Sequence, residues 1–292
     1  MSKNTASFYL HAKKSLGQNF LADESVMQGI VFSVNEFLLS KNITHANILE
    51  IGPGTGILTS ALLSNEDKNY TITAVEKDHR AIKGLQDTIA KKYAARFVLH
   101  DADILNFSPE NFDLCIGNIP YYITSDILMW LCDHKNKFFG AIFMVQDEVA
   151  DRLCANINTK EYSRLTIKMQ LNFDITKLFF VSKESFVPQP KVNSAVILCV
   201  PNQFAFLNPT EEKNFEAFTT LLFSQRRKML RRIFAAQCKN LSTEKISSFW
   251  NSVKHINIIE TDRPESISPQ KMLILFNSYQ TLLASEPINP LP

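Results

Sequence analysis

The chain has 292 residues, of which 45% are hydrophobic and 21% charged, and its formal net charge is +2. This composition is that of a globular protein large enough for one sizeable α/β core and a smaller second domain, and it argues against disordered, fibrous and membrane-embedded classes. Its five cysteines are scattered and show no Cys-x-x-Cys spacing, which argues against disulfides and a zinc site. We therefore predict no metal and no membrane-spanning segment.

The first 22 residues contain no acid and include Lys3, Lys13 and Lys14. They lack the apolar core of a signal peptide, which favours a cytoplasmic protein. A mitochondrial transit peptide is a weaker interpretation, because the stretch has no arginine. We predict a flexible basic arm at 1–22, with Lys13 and Lys14 as a small patch for an anionic partner.

The first predicted strand, Ala46 to Ile51, leads into the glycine-rich turn Gly52-Pro53-Gly54-Thr55-Gly56 and then into a helix. A strand, a glycine turn and a helix in this order are typical of a nucleotide-binding crossover. The glycines follow G-x-G-x-G rather than the dinucleotide pattern G-x-G-x-x-G, so a pyrophosphate ligand is disfavoured. Gly52 and Gly54 have no Cβ and let a ligand lie against the backbone, as the amino-acid end of S-adenosylmethionine does.

Two further predicted strands end in acidic residues. The run Tyr70 to Val75 ends at Glu76, twenty residues after Gly56, where a carboxylate can bind both hydroxyls of a ribose. The run Ala95 to His100 ends at Asp101, which can accept a hydrogen bond from the amine of a cofactor adenine. Each feature alone fits an ordinary strand end, but their succession predicts a cofactor that contains adenosine.

The motif Asn118-Ile119-Pro120-Tyr121 stands at the end of the fourth predicted strand. The Asn118 side-chain oxygen and the Ile119 carbonyl offer two acceptors for the N–H bonds of a base amine, whose lone pair is otherwise delocalised into the ring. Pro120 restrains the carbonyl before it, and Tyr121, or less favourably Tyr122, can stack on the base. Alone, the motif fits an Asn-x-Pro turn equally well.

The remaining pattern completes the sheet and adds a helical region. Three more predicted strands lie at 140–145, 171–175 and 195–200. The stretch from Pro201 to Pro209 interrupts the pattern, and the predicted helices that follow lie at 211–223, 226–236, 243–253 and 268–283. We predict an α/β, Rossmann-like domain with a seven-stranded, mostly parallel sheet at 23–203, a small all-helical domain at 204–285 and a disordered tail at 286–292.

A basic cluster lies in the predicted helical domain. Between Ala217 and Thr243 there are six basic residues and no acid. Five of them fall within seven positions: Arg226, Arg227, Lys228, Arg231 and Arg232. On one helix they would form a basic ridge, and an acid-free ridge favours phosphate binding over an ordinary solvated face. We predict that this ridge binds RNA, with Lys13 and Lys14 as a weaker contact.

On these motifs the chain resembles the KsgA family of ribosomal RNA adenine dimethyltransferases, from about Lys14 to the last helix. The segments that carry the resemblance are 14–21, 52–59, Glu76, Asp101, 118–121, 186–194 and 225–231. The fold that the resemblance implies is that of a class I methyltransferase. The cofactor that it implies is S-adenosylmethionine, bound by Asn19, Leu21, Gly52, Gly54, Glu76, Asp101 and Asn118. The catalytic motif that it implies is Asn118, Ile119, Pro120 and Tyr121, with Tyr121 and Phe186 against the target base.

The reaction implied by the resemblance is dimethylation of N6 on two adjacent adenosines in a hairpin loop near the 3′ end of 16S rRNA. The implied partner is this rRNA within an immature small ribosomal subunit, and we expect a monomer. One alternative is a non-catalytic assembly or nucleic-acid-binding factor on the same fold, which the intact motif residues disfavour. Another is a DNA adenine methyltransferase, which would be expected to carry proline in place of Ile119.

Overall fold

The computed structural model describes residues 19–65, 68–202, 209–238 and 241–284. The chain divides into two units, one of residues 1–151 with 172–202 and one of residues 152–171 with 203–292. The predicted boundary had left 152–171 in the first unit. In the structure, Tyr162, Ile167 and Leu171 are buried in the core of the helical unit instead. Lys13, Lys14 and the predicted tail at 286–292 lie outside the described residues.

Among the residues that the structure describes, the first unit contains nine strands. They are β1 (Phe20–Leu21), β2 (His45–Ile51), β3 (Asn69–Glu76), β4 (Phe97–Asp101), β5 (Leu114–Asn118), β6 (Gly140–Gln146), β7 (Phe173–Val181), β8 (Phe186–Val187) and β9 (Ser194–Pro201). Seven of them form one sheet in the order β4-β3-β2-β5-β6-β9-β7. The pairs among β2 to β6 are parallel, whereas β9 pairs antiparallel with both β6 and β7. The predicted seven-stranded, mostly parallel sheet is confirmed.

The other two strands, β1 and β8, form a small antiparallel sheet in which Phe20 pairs with Val187 and Leu21 with Phe186. The prediction of a flexible arm over 1–22 is therefore wrong for its last residues. Backbone N–H groups of Ala22 and Asp23 also donate to the Ser185 carbonyl, at 2.8 and 3.3 Å. These bonds attach the start of the described chain to a segment more than 160 residues later.

The described part of the first unit also contains the helices α1 (Glu24–Ser40), α2 (Ile57–Leu63), α3 (His79–Leu85), α4 (Thr124–Asp133) and α5 (Asp147–Leu153). A π-helical turn, Gln86–Ala90, continues α3. Asp23 caps α1 by accepting from the backbone N–H of Ser25 and Val26. Central strands of a parallel sheet are covered on both faces, which explains why β2 and β5 are nearly continuous buried runs.

The second unit is helical, as predicted. Its helices are α6 (Arg164–Asn172), α7 (Pro209–Ser224), α8 (Leu230–Gln237), α9 (Thr243–Lys254) and α10 (Pro269–Ala284). Its core is rich in aromatic rings, with Phe218 within 6.2 Å of Phe234 and within 5.5 Å of Phe276 between ring centroids. Across the described ranges, no helix is both long and apolar enough to cross a membrane.

The helix predicted from Arg226 begins only at Leu230. Residues 225–227 form a turn that follows α7, closed by the N–H of Lys228 donating to the Gln225 carbonyl at 2.8 Å. Met229 then adopts an extended conformation as the N-cap of α8. The first N–H group of α8, that of Leu230, donates to the Asp262 carbonyl at 2.7 Å. Tertiary contacts with a later loop thus decide where this helix starts.

Candidate active site

A cleft lies at the carboxyl edge of the sheet, where the strand order reverses between β2 and β5. Ligands of open α/β sheets bind at this kind of position. The predicted site residues that line it are Asn19, Gly52, Gly54, Glu76, Asn118, Ile119, Pro120 and Tyr121.

The glycine loop forms one wall with backbone alone. Gly52, Gly54 and Gly56 have φ angles of 62°, 55° and 75°, a region that side-chain-bearing residues rarely adopt. A Cβ on Gly54 would lie 3.2 Å from the Phe20 ring, and one on Gly56 would lie 2.7 Å from Leu85 Cδ2. Gly54 and Gly56 are therefore required for both conformation and space. Beside Gly52 there is room for a ligand, because no atom lies within 4 Å of the position that a Cβ would take there.

Glu76 ends β3 as a buried carboxylate on the cleft wall. Its Oε2 accepts from the Gly54 N–H at 3.1 Å, and its Oε1 accepts from the N–H groups of Lys77 and Asp78, both at 2.9 Å. Burial raises the pKa of Glu76 above its ordinary value, although the three backbone bonds oppose this shift. The side chain is thus held in one orientation, with a carboxylate oxygen next to the glycine loop.

A second buried acid, Glu50, is a site residue that the sequence analysis missed. It accepts a hydrogen bond from the Thr59 hydroxyl at 2.7 Å and lines a smaller cleft together with Leu21, Gly52 and Asn118. Burial raises the pKa of Glu50 to about 7, and the nearby charge of Glu76 adds to the increase. An acid inside the apolar run of β2 was the signal that could have identified it.

The end of β4 differs from the prediction. Asp101 lies beside Glu76 in the sheet register, but its Oδ2 faces His79 Nδ1 at 3.2 Å and it is half-exposed. Asp103 is on the cleft wall instead, where it caps a short 3-10 turn and pairs with Lys77 Nζ at 3.1 Å. The sequence His-Asp-Ala-Asp contains both acids, and only the fold shows which carboxylate lies at the cleft.

The Asn118 loop is fixed by long-range hydrogen bonds. Asn118 Nδ2 donates to the Asn19 carbonyl at 3.1 Å, and the Ile119 N–H donates to the Met144 carbonyl at 3.0 Å. Because the amide nitrogen of Asn118 is bound, its oxygen is the atom that remains to accept from a ligand. Ile119 is almost fully buried although it lines the cleft. Tyr121 also lines the cleft and is partly buried, whereas Tyr122 is half-exposed.

Two other predicted residues lie away from this wall. Phe186 is 2% exposed and belongs to the hydrophobic core of the first unit, in which Leu21, Met144 and Val196 also lie. Its ring is therefore not presented to a base in this structure, because β8 pairs with β1 and turns it inward. Leu21 contributes to the same core and borders the smaller cleft rather than the main one.

The basic cluster of the second unit does not form one ridge. Arg226 is partly buried: its Nε donates to Glu265 Oε2 at 2.7 Å, and its other nitrogens donate to the carbonyls of Thr159 and Lys160. These bonds give it a structural role rather than the predicted contact with phosphate. Arg227 and Lys228 line a separate open cleft with Lys160 and Arg263. Arg231 and Arg232 belong to α8 and are exposed.

The described part of the chain contains no group of three or more His, Cys, Asp or Glu side chains arranged to hold a metal ion. The groups that the main cleft presents to a bound molecule are instead backbone groups, carboxylates, amides and phenol rings. Positive-φ glycines, a fixed acid after the second parallel strand and a free amide oxygen suit a nucleoside with an amino-acid end. The residues present thus fit S-adenosylmethionine.

The comparisons with known proteins agree with this geometry. The family model described as ribosomal RNA adenine dimethylase matches residues 9–280. The ribosomal RNA small subunit methyltransferase A of Mycoplasmopsis synoviae (strain 53) is 36% identical over 273 residues, which are 91% of this chain and 96% of that protein. The protein of the same name from Pelagibacter ubique (strain HTCC1062) is 33% identical over 281 residues, or 94% and 99% of the two chains.

Solved structures are similar as well. A dimethyladenosine transferase from Plasmodium falciparum has a TM-score of 0.73 and 25% identity, with 90% of this chain and 98% of that chain covered. The 23S rRNA methyltransferase ErmE has the same type of fold, with a TM-score of 0.64 and 24% identity over 90% and 100% of the chains.

Fold and cleft together define a class I methyltransferase that uses S-adenosylmethionine. The chain belongs to the ribosomal RNA adenine dimethylase family. It is therefore an enzyme that methylates adenine in ribosomal RNA, and the predicted family, reaction class and cofactor are confirmed. The alternative of a non-catalytic factor is not favoured.

Proposed function

We propose that this enzyme dimethylates N6 of two adjacent adenosines in a hairpin loop near the 3′ end of 16S rRNA, and that it acts as a monomer on an immature small ribosomal subunit in the cytoplasm. The observation that carries the proposal is that one cleft holds both the glycine loop and the Asn118 loop. The small-subunit relatives named above, which match this chain almost from end to end, support the choice of substrate.

One half of the cleft binds the cofactor, through the shape of the glycine loop and through hydrogen bonds to carboxylates. When bound, S-adenosylmethionine supplies a methyl group as a sulfonium electrophile. We assign its amino-acid end to the backbone of Gly52 and Gly54, with Asn19 and Leu21 over it and the Glu50 carboxyl as the acceptor for its ammonium group. Glu76 accepts from the ribose hydroxyls. The adenine amine is assigned to the end of β4, where Asp101 and Asp103 supply carboxylates.

The target-base half prepares the nucleophile. The Asn118 oxygen and the Ile119 carbonyl each accept a hydrogen bond from one N–H group of adenine N6. This favours a pyramidal nitrogen with a localised lone pair. Pro120 restrains Ile119, and the Tyr121 ring stacks on the base. The enzyme needs no strong base, because the methylated ammonium loses its proton readily. Positioning and exclusion of water supply most of the rate.

The helical unit supplies contacts with the phosphate backbone. The Arg227 and Lys228 side chains border a cleft to which Lys160 and Arg263 add further positive charge. The acid in that cleft, Glu265, is paired with Arg226. A cleft with this charge suits RNA phosphates, which are bound with a strong dependence on salt. Arg231, Arg232, Lys13 and Lys14 are proposed to extend this contact.

The test uses labelled S-adenosylmethionine and small subunits from a strain that lacks the modification. After the reaction, the RNA is digested and analysed for N6,N6-dimethyladenosine. We expect the dimethylated nucleoside in small-subunit RNA, and none in large-subunit RNA or duplex DNA offered in competition. If no label is transferred although cofactor and subunits bind, the chain acts as a non-catalytic assembly factor and the proposal fails.

A further inference from the structure

The Tyr121 ring carries one polar atom, and that atom is bound. Its hydroxyl lies 2.7 Å from the Ser194 hydroxyl oxygen, across 73 residues of sequence. Tyr121 lines the cleft on the side of the Asn118 loop, whereas Ser194 is completely buried. A buried phenol requires a hydrogen-bonding partner, and Ser194 supplies it from below the cleft wall.

Ser194 is a rigid point of attachment. It is the first residue of β9, the strand that lies between β6 and β7, and it pairs with Gln146 on one side and with Val181 on the other. The preceding carbonyl, that of Asn193, accepts from the Asp147 N–H at 3.0 Å. A hydroxyl fixed to the sheet on both sides defines the position of the phenol oxygen.

The bond therefore restrains the Tyr121 ring. The backbone and Ser194 fix the two ends of its Cβ–Cζ axis, and rotation about that axis is restrained because a phenol hydroxyl forms its hydrogen bonds most favourably in the plane of the ring. Burial raises the pKa of Tyr121 above its ordinary value, so the phenol stays neutral and can donate or accept. The neighbouring Tyr122 shows the contrast, since it is half-exposed. Both tyrosines line the cleft, and Tyr121 is the one whose hydroxyl is bonded to a buried residue of the sheet.

We propose that Ser194 is a positioning residue for methyl transfer, which acts by holding the Tyr121 ring in the plane that stacks on the target adenine. The inference rests on the proposed function, in which Tyr121 binds the base. Stacking contributes to the rate only if the amine is held in line with the methyl donor, and misplacement of the base lowers turnover more than binding. Ser194 is thereby a determinant of kcat rather than of cofactor affinity.

The experiment is a double-mutant cycle with Ser194→Ala, Tyr121→Phe and the double variant, assayed on unmethylated small subunits. Each single change removes the same hydrogen bond from one side, so we expect each to lower kcat about three- to tenfold, the range to which the net free energy of one hydrogen bond corresponds. The double variant should lose no more than either single variant. The KM for S-adenosylmethionine should stay at the wild-type value in all three.

Ser33→Ala is the matched control, because it also removes a partly buried hydroxyl, one that donates to the Gly29 carbonyl in α1 away from the cleft. It should leave kcat unchanged. Multiplicative losses in the double variant, or wild-type kcat in Ser194→Ala, would overturn the inference while the wild-type enzyme still methylates RNA. An inactive wild type would instead overturn the proposed function. If Ser194→Ala does not fold, Tyr121→Phe decides alone, and its retention of wild-type kcat would refute the role.

Discussion

The side-chain amide of Asn118 donates to the backbone carbonyl of Asn19 at 3.1 Å, although the two residues are 99 positions apart. The bond joins the Asn118 loop, which we propose faces the target base, to the segment in which Phe20 covers Gly54. It also fixes which end of the amide is free, since a bound nitrogen leaves the oxygen to accept from a ligand. This hydrogen bond thereby links the Asn118 loop to the segment that packs against the glycine loop.

The first prediction concerns this amide. We expect Asn118→Ala to reduce methyl transfer at least about 100-fold, because removal of one preorganised acceptor at a reacting centre has costs of this order. Binding of the cofactor should be largely kept. The measurements are single-turnover transfer of labelled methyl and calorimetric binding of S-adenosylmethionine. Asn251→Ala, at an exposed position of α9, is the control. Near-normal methylation by Asn118→Ala would remove Asn118 from the catalytic role.

The second prediction separates three glycines by their surroundings. Gly56→Ala should destabilise the protein by about 2–4 kcal/mol, because a positive φ and an overpacked Cβ both add to the cost. Gly84→Ala, in α3 with no atom within 4 Å of the new Cβ, should instead stabilise it by about 0.5–1 kcal/mol. Gly54→Ala should weaken cofactor binding, because its Cβ meets Phe20.

Urea unfolding of the three variants, with cofactor titration of Gly54→Ala, checks these values. Equal stabilities of Gly56→Ala and Gly84→Ala would show that the conformation of the glycine loop does not need glycine at position 56.

The third prediction is a pH dependence of stability. The pKa of Glu50 is about 7 in the folded protein, against an ordinary value of 4.5. Between these pH values the folded state binds more protons than the unfolded state, so the free energy of unfolding falls as the pH rises. Above pH 7 the buried charge costs about 3 kcal/mol. Glu50→Gln should therefore be more stable than the wild type at pH 8 and equal to it near pH 4.5.

Chemical unfolding of cofactor-free protein at both pH values provides the comparison. Glu110→Gln, at an exposed position, is the control and should follow the wild-type curve. A Glu50→Gln curve parallel to that of the wild type would mean that folding does not raise the pKa of Glu50.

The fourth prediction separates neighbouring arginines. Arg226→Ala should destabilise the helical unit by about 2 kcal/mol, because it leaves Glu265 and two backbone carbonyls without their charged donor. Arg227→Ala should leave stability nearly unchanged and weaken RNA binding, with the slope of log affinity against log salt reduced by about one. Thermal unfolding and RNA binding at several salt concentrations test both. The reverse pattern would show that Arg226, and not Arg227, contacts phosphate.

The sequence by itself determined the sheet and much of the site. Apolar runs of strand length located six strands of the main sheet, because buried strands must be apolar on both faces. The strand predicted at 171–175 was only partly right, since Leu171 and Asn172 end α6 and β7 runs from Phe173 to Val181. This strand lies at the edge of the sheet and is partly exposed, so its polar residues obscure the pattern. Glycines that need a positive φ and polar residues at strand ends marked Gly52, Gly54, Glu76 and Asn118, which the structure brings to one cleft. Local chemistry is sufficient here, since the carboxyl ends of parallel strands meet at one edge.

Only the tertiary structure decided the features that depend on distant partners. The start of α8 at Leu230 is set by carbonyls from residues 260 and 262, and Arg226 becomes structural because Glu265 and the 159–160 backbone lie against it. Phe186 is buried because its strand pairs with β1. The anchor of Tyr121 is 73 residues away at Ser194. Sequence spacing holds no information about such contacts, because they form only when separate segments pack together.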